Sequence, residues 1–257
     1  MSGIRAWLDA SPLADLALAF MRDATGRTEP LKVLRPGRPV ALPPHARIGF
    51  WSLRAGVGSS TTAALLAHRS AGAGRPPVLL DLDRWTPSLA LRAQLQAATI
   101  ADALLRPGRE PESLSRWADV PFLPGAPGLH AVYESDRVIA LVARISPEGP
   151  VVVDLGSGPD ALDHALLATL DRLCLVTGPR ASHLQAAFCA LDLLREAPCR
   201  VGLVTSQAAD EDAARIAARL PWPLLSAIPS DPYLSEDGFA ARAPTMGAID
   251  QLIRALA

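Results

Sequence analysis

Two short runs, Val78-Leu79-Leu80 and Val151-Val152-Val153, are apolar at every position, and each ends in an aspartate. A strand with one face in water alternates apolar and polar residues. A run without alternation needs cover on both faces, as inside a mostly parallel sheet with helices on either side. From Arg47 onward the chain repeats this theme, and the strands it predicts are Arg47–Leu53, Pro77–Asp81, Val120–Leu123, Val151–Leu155, Arg172–Thr177, Arg200–Thr205 and Leu224–Ile228. Between them fall predicted helices at Ser60–Ser70, Ser88–Leu105, Glu134–Ile145, Ala161–Thr169, Ser182–Arg195, Asp210–Arg219 and Ala248–Leu256. The expected fold is α/β: three layers, a mostly parallel sheet with helices on both faces.

The start of the chain reads differently. Ile4, Trp7, Leu8, Leu13, Leu16, Phe20 and Met21 recur at the spacing of an amphipathic helix, and Ser11-Pro12 reads as an N-cap that divides it in two. Five prolines (Pro30, Pro36, Pro39, Pro43 and Pro44) then mark an extended stretch. The expected organisation is a helical N-terminal arm at 1–27, a proline-rich linker at 28–46 and one α/β domain at 47–257.

Composition removes several function classes. With 257 residues, 49% hydrophobic and 20% charged, the chain buries a sizeable core and is not a disordered segment. Its formal net charge of −1 provides no global attraction to nucleic acid or an anionic membrane. No stretch of about 18 uncharged apolar residues exists to span a bilayer. Asp9 and Asp15 interrupt the apolar N-terminus where a signal peptide needs a clean run. Cys174, Cys189 and Cys199 are an odd, scattered set, expected in the core of a protein of the reducing cytoplasm. The five histidines show no ligand spacing, and Gly156-Ser157-Gly158 lacks the spacing of a nucleophile elbow. Lys32 is the only lysine.

The most informative stretch runs from Ile48 to Ala67. A strand enters a small-residue loop, Leu53-Arg54-Ala55-Gly56-Val57-Gly58, which opens a helix rich in alanine and leucine. Backbone N–H groups in such a loop can wrap a phosphate, and the helix N-terminus favours its charge. Gly56 and Gly58 permit the positive φ and close approach this needs. The strict pattern G-x-x-x-x-G-K-[ST] is broken, because Leu53 replaces the first glycine and Ser59 the lysine. From the residues alone, a glycine turn capped by Ser59 or Ser60 fits equally. Asp154, at the C-terminal end of an all-valine strand, lies where open α/β sheets bind ligands. Asp81 and Asp83 read either as caps of the following turn or as metal-facing acids.

The run from Arg54 to Thr61 resembles the deviant phosphate loop of the MinD/ParA ATPases, K-G-G-V-G-K-[ST]-T. The resemblance extends to the C-terminus and implies that Arg54, Ala55, Gly56, Val57, Gly58, Ser59, Ser60 and Thr61 bind ATP. In that family the first lysine reaches the nucleotide of the facing subunit and the second grips its own; here Arg54 and Ser59 stand at those positions. The resemblance further implies magnesium at Ser60, Asp83 and Asp154, with Asp83 as the catalytic residue that helps place the attacking water. Ala227-Ile228-Pro229-Ser230-Asp231 matches the loop bordering adenine, whereas Thr205 or Ser206 stands where the family has an asparagine for the base.

A lysine-poor branch with arginine first, the CpaE/TadZ proteins of pilus assembly and the cellulose-synthesis accessory BcsQ, is the most similar. It implies a homodimeric scaffold or localisation factor for a surface-appendage or secretion machine, a Tad-type pilus foremost, recruited from the cytoplasm to the inner membrane or cell pole. A BcsQ-like role and an active positioning ATPase are the alternatives. Ser59 offers no cation for charge moving onto a leaving phosphate, so hydrolysis is expected to be weak or absent.

Overall fold

The uniformly apolar runs become the middle of one sheet in the computed structural model, which describes residues 39–126, 129–234 and 241–257. The arm read at 1–27 and most of the linker lie outside the described residues. Strands β1 (Arg47–Ser52), β2 (Val78–Asp81), β3 (Ser115–Trp117), β4 (Val120–Leu123), β5 (Val151–Ser157), β6 (Arg172–Thr177), β7 (Arg200–Ser206) and β8 (Leu224–Ile228) stand in the order β3-β4-β2-β5-β1-β6-β7-β8. Every neighbouring pair is parallel except β3 with β4. The described helices are α1 (Ser59–Ala71), α2 (Leu89–Ala93), α3 (Ile100–Leu104), α4 (Leu129–Val132), α5 (Ser135–Ile145), α6 (His164–Leu167), α7 (Ala181–Leu193), α8 (Asp210–Ala217) and α9 (Ala243–Leu256).

Two hydrophobic clusters, one on each face of the sheet, explain why the strands do not alternate. Leu79, Val152, Ile48 and Phe50 pack with α1 and α9 in one cluster. Their neighbours Val78, Leu80, Val151, Val153 and Trp51 pack with α5 and α7 in the other. Each strand therefore feeds both cores, and the three-layer α/β expectation holds. Residues 39–46, read as the end of the linker, lie against α1: Leu42 is buried and its N–H donates to Ser70 Oγ at 3.0 Å.

Several elements depart from the reading. The single helix expected over Ser88–Leu105 is two. Gln94 takes a left-handed conformation (φ 53°) that ends α2, and a Thr99–Asp102 capping box starts α3 afresh. Strand β3 pairs with β4 through a tight turn at Ala118 (φ 51°) and is too short to show a period. Helix α9 begins at Ala243, five residues before the expected Ala248, with Pro244 in its first turn. Of the cysteines expected in the core, Cys174 is buried, Cys199 is half-buried and Cys189 is exposed on α7.

Strand β1 lies between β5 and β6: the connection that leaves it runs to β2 on one side, and the one from β5 passes it to β6 on the other. The crevice outside the carboxyl ends of strands at such a point is where open α/β sheets take ligands. The carboxyl ends of β1, β2, β5, β7 and β8 all open onto it.

Candidate functional site

The loop between β1 and α1 has the backbone that its glycines predict. Gly56 (φ 82°) and Gly58 (φ 94°) are both left-handed, and a Cβ on Gly58 would also stand 3.0 Å from Ser206 Oγ. Gly58 is the N-cap of α1 and no side chain caps the helix, so the turn capped by Ser59 or Ser60 is not what forms. Thr62 ties the first turn down, its N–H and hydroxyl donating to the Gly58 carbonyl at 2.9 and 2.8 Å. The first turn carries no acidic side chain. A helix start with no capping side chain and no acidic residue of its own in the first turn leaves its N–H groups for an anion.

The predicted loop residues divide by position. Ala55, Gly56, Gly58, Ser59, Ser60 and Thr61 line a cleft of about 670 Å³. Val57 is buried in the core and anchors the loop. Ser59 is almost wholly buried, its hydroxyl 3.4 Å from that of Ser52. Arg54 is exposed and outside the cleft lining, towards the start of α7. There His183 is held below its ordinary pKa, first by burial and then by the charges of Arg180 and Arg54.

The three aspartates part company in a similar way. Asp81 and Asp154 are opposite each other on β2 and β5. Asp81 is wholly buried and structural: its oxygens accept the N–H groups of Asp83 and Leu89, both at 3.2 Å. Burial first, then the charge of Asp154, push its carboxyl well above the ordinary range. Asp83 reaches the cleft, with its carboxylate accepting from the Trp85 and Thr86 N–H groups at 2.9 and 2.8 Å and from the Thr86 hydroxyl at 3.1 Å. Gly156 gives it room, since a Cβ there would stand 2.6 Å from Asp83 Oδ2. Asp154 lies beneath the cleft. Its Oδ1 accepts the Gly156 N–H at 3.1 Å, Ser60 faces it, and its buried Oδ2 has no hydrogen-bond partner among the described residues.

Burial, opposed by Ser60 and Gly156 and reinforced by the charge of Asp83, raises the Asp154 pKa from 3.8 to about 6. A folded-state pKa above the unfolded one favours folding fully below pH 3.8, and that contribution is lost as pH rises to about 6. Asp154→Asn, which removes the buried charge, is expected to stabilise the protein at pH 7.5 by up to about 3 kcal/mol and to change little at pH 4. Denaturant unfolding at the two pH values checks this. A destabilised variant at pH 7.5 would show that the charged carboxylate is itself held by the fold.

The cleft continues away from the loop. Ser206 and Gln207 at the end of β7, and Ile228, Pro229, Ser230, Asp231 and Pro232 after β8, line its far part. The Ala227–Asp231 segment thus borders the cleft as expected. Of the two candidates for the asparagine position, Ser206 lines the cleft; Thr205 is fully buried, its hydroxyl without a partner among the described residues. Sequence reasoning missed Gln207, which faces the cleft in a left-handed conformation (φ 58°), and Arg92, which enters the wall from α2. No residue signal announces a left-handed glutamine. Arg92 was hidden because its helix was read as part of a longer one.

Comparison with solved structures places this fold. No family model matches the chain, and no curated protein matches it in sequence. A ParA family ATPase from Chlorobium tepidum superposes with a TM-score of 0.69 at 20% identity, covering 82% of this chain and 98% of that one. The septum site-determining protein MinD from Pyrococcus horikoshii, complexed with Mg-ADP, gives 0.68 at 18% identity over 81% and 94%. A putative plasmid partition protein from Borrelia burgdorferi bound to AMPPNP gives 0.65 at 15% identity over 85% and 98%. The architecture is that of the ParA and MinD ATPases.

Proposed function

We propose that this chain binds ATP with magnesium in the β1–α1 cleft and serves as a dimeric scaffold or localisation factor with weak or no hydrolysis. The observation that carries this reading is the convergence of a left-handed glycine loop, an uncapped helix start and the Ser60–Asp154–Asp83 group on one cleft. Two solved proteins of the same fold were determined with Mg-ADP and with AMPPNP. The chain's own residues suit such a ligand. Loop N–H groups and the start of α1 would hold the phosphates, and the glycines permit close approach. Ser60 and the unpartnered Asp154 Oδ2 would hold magnesium, which needs few protein ligands because it keeps several waters. Bound there, the ion would neutralise charge on the phosphates. Asp83, fixed by three hydrogen bonds, would orient a water at the cleft mouth. Ser59 holds no positive charge, which supports slow turnover.

The machine served is read from the loop's likeness to the lysine-poor CpaE/TadZ branch: a surface appendage, with a Tad-type pilus first. Among the described residues no helix is long and apolar enough to cross a membrane. Recruitment to the inner membrane or pole is assigned to the arm at 1–27. Deleting residues 1–28 should preserve ATP binding and abolish polar or membrane foci of a fluorescent fusion; unchanged foci would remove that assignment.

Arg54 supports a two-fold assembly because it is exposed beside its own cleft and therefore available to a facing copy. A ligand fully paired only when two subunits meet tightens their association. Sedimentation with and without Mg-ATP should show an ATP-dependent shift to dimer, lost in Arg54→Ala and partly kept in Arg54→Lys, which retains charge but not the planar fork. A dimer indifferent to both ATP and Arg54→Ala places the interface elsewhere.

A further inference from the structure

We infer that Arg92, on α2, supplies the cationic phosphate contact that the loop lacks at Ser59; this rests on the nucleotide reading above. Among the described residues lining the cleft, Arg92 is the only lysine, arginine or histidine. Two carboxylates, Asp83 and Asp231, share that lining. Asp231 is engaged by Arg242, its backbone N–H at 2.8 Å and its Nε at 3.3 Å, and by the Thr245 hydroxyl at 2.7 Å. That leaves Asp83 as the lining carboxylate without a cationic partner in the lining, and a Mg-polyphosphate entering this cleft still carries net negative charge that a side-chain cation can pair with. Arg92 is that cation.

Its support is rigid although α2 is short. Leu89, one turn earlier, is fully buried, and its N–H donates to Asp81 Oδ2 at 3.2 Å. Asp81 also accepts the Asp83 N–H, so one buried carboxylate ties the start of α2 to the loop that carries Asp83. Helix α2 packs on α1, the helix whose N-terminus opens the cleft. Arg92 is thus carried by the same scaffold as the proposed water-orienting acid. A guanidinium suits the task, since its planar fork pairs with phosphate oxygens bidentately and stays charged.

Calorimetric titration of the full chain with Mg-ATP tests this in two backgrounds. Arg92→Ala should weaken binding about 10- to 100-fold, the loss of a charge-assisted contact, and Arg92→Lys should recover part. With Ser59→Lys also present, the loss caused by Arg92→Ala should shrink to a few-fold, because a second cation then covers the same charge. A merely structural arginine would cost the same in both backgrounds, and that result overturns the inference, as does equal affinity of wild type and Arg92→Ala. Arg92→Gln, which keeps the stem, replaces the alanine variant if the latter unfolds. A wild-type chain that takes up no Mg-ATP removes the nucleotide reading itself, and this inference with it.

Discussion

Lysine at position 59 is expected to tighten Mg-ATP binding about 10- to 100-fold and to raise phosphate release by roughly 10² to 10³, the usual worth of one preorganised charge contact. Position 59 is the first residue of α1, next to the left-handed Gly58, and it lines the cleft. A side chain there starts where phosphates would be held. Serine spends its hydroxyl inward, 3.4 Å from Ser52 Oγ, and carries no charge outward. A lysine stem is too long for the space beside Ser52 and is expected to leave along the cleft, where the phosphates of a bound nucleotide would lie. Titration and a phosphate-release assay read the two effects separately. Tighter binding without faster release would place the missing chemistry at Asp83. No change in either would mean that the loop is not a phosphate cradle.

Gly156→Ala is expected to lower stability by about 2–4 kcal/mol, or roughly 5–15 °C in Tm, and to remove any residual phosphate release while leaving magnesium-dependent ATP binding in place, because the residue it displaces is the proposed water-orienting Asp83. Gly156 has φ 75°, and its Cβ would stand 2.5–2.7 Å from Asp83 Cγ, Oδ2 and Cβ. Asp83 would have to retreat, breaking its hydrogen bonds to Trp85 and Thr86. Gly158 supplies the internal control. Its φ is 90° and its ψ 163°, a region that glycine almost alone adopts, but no described residue stands within 4 Å of its Cβ position, so Gly158→Ala should cost only backbone strain, about 1–3 kcal/mol. Equal thermal shifts in the two variants would show that Asp83 does not depend on the space Gly156 leaves.

The parts of the fold legible in the sequence were those where burial dictates residue type. Val152 feeds one core while Val151 and Val153 feed the other, and only uniformly apolar residues can do that. The loop was legible because left-handed backbone at 56 and 58 all but demands glycine. Side-chain direction was less so. Thr205 and Ser206 are equally plausible in sequence, and the phase of β7 decides that Ser206 meets the cleft. Asp81 and Asp83 look alike as D-x-D, yet one ties down α2 while the other reaches the cleft. Arg92 and Gln207 owe their places to the break at Gln94 and a left-handed turn after β7, which tertiary packing sets.

Titration of the purified full chain with ATP, with and without magnesium, followed by phosphate release, tests the central claim most directly. The account predicts one ATP per chain, magnesium-dependent affinity, and turnover far below the order of 1 per second of ordinary enzymes. No uptake of ATP at millimolar concentration, or turnover at or above that rate by the wild-type chain, would contradict it.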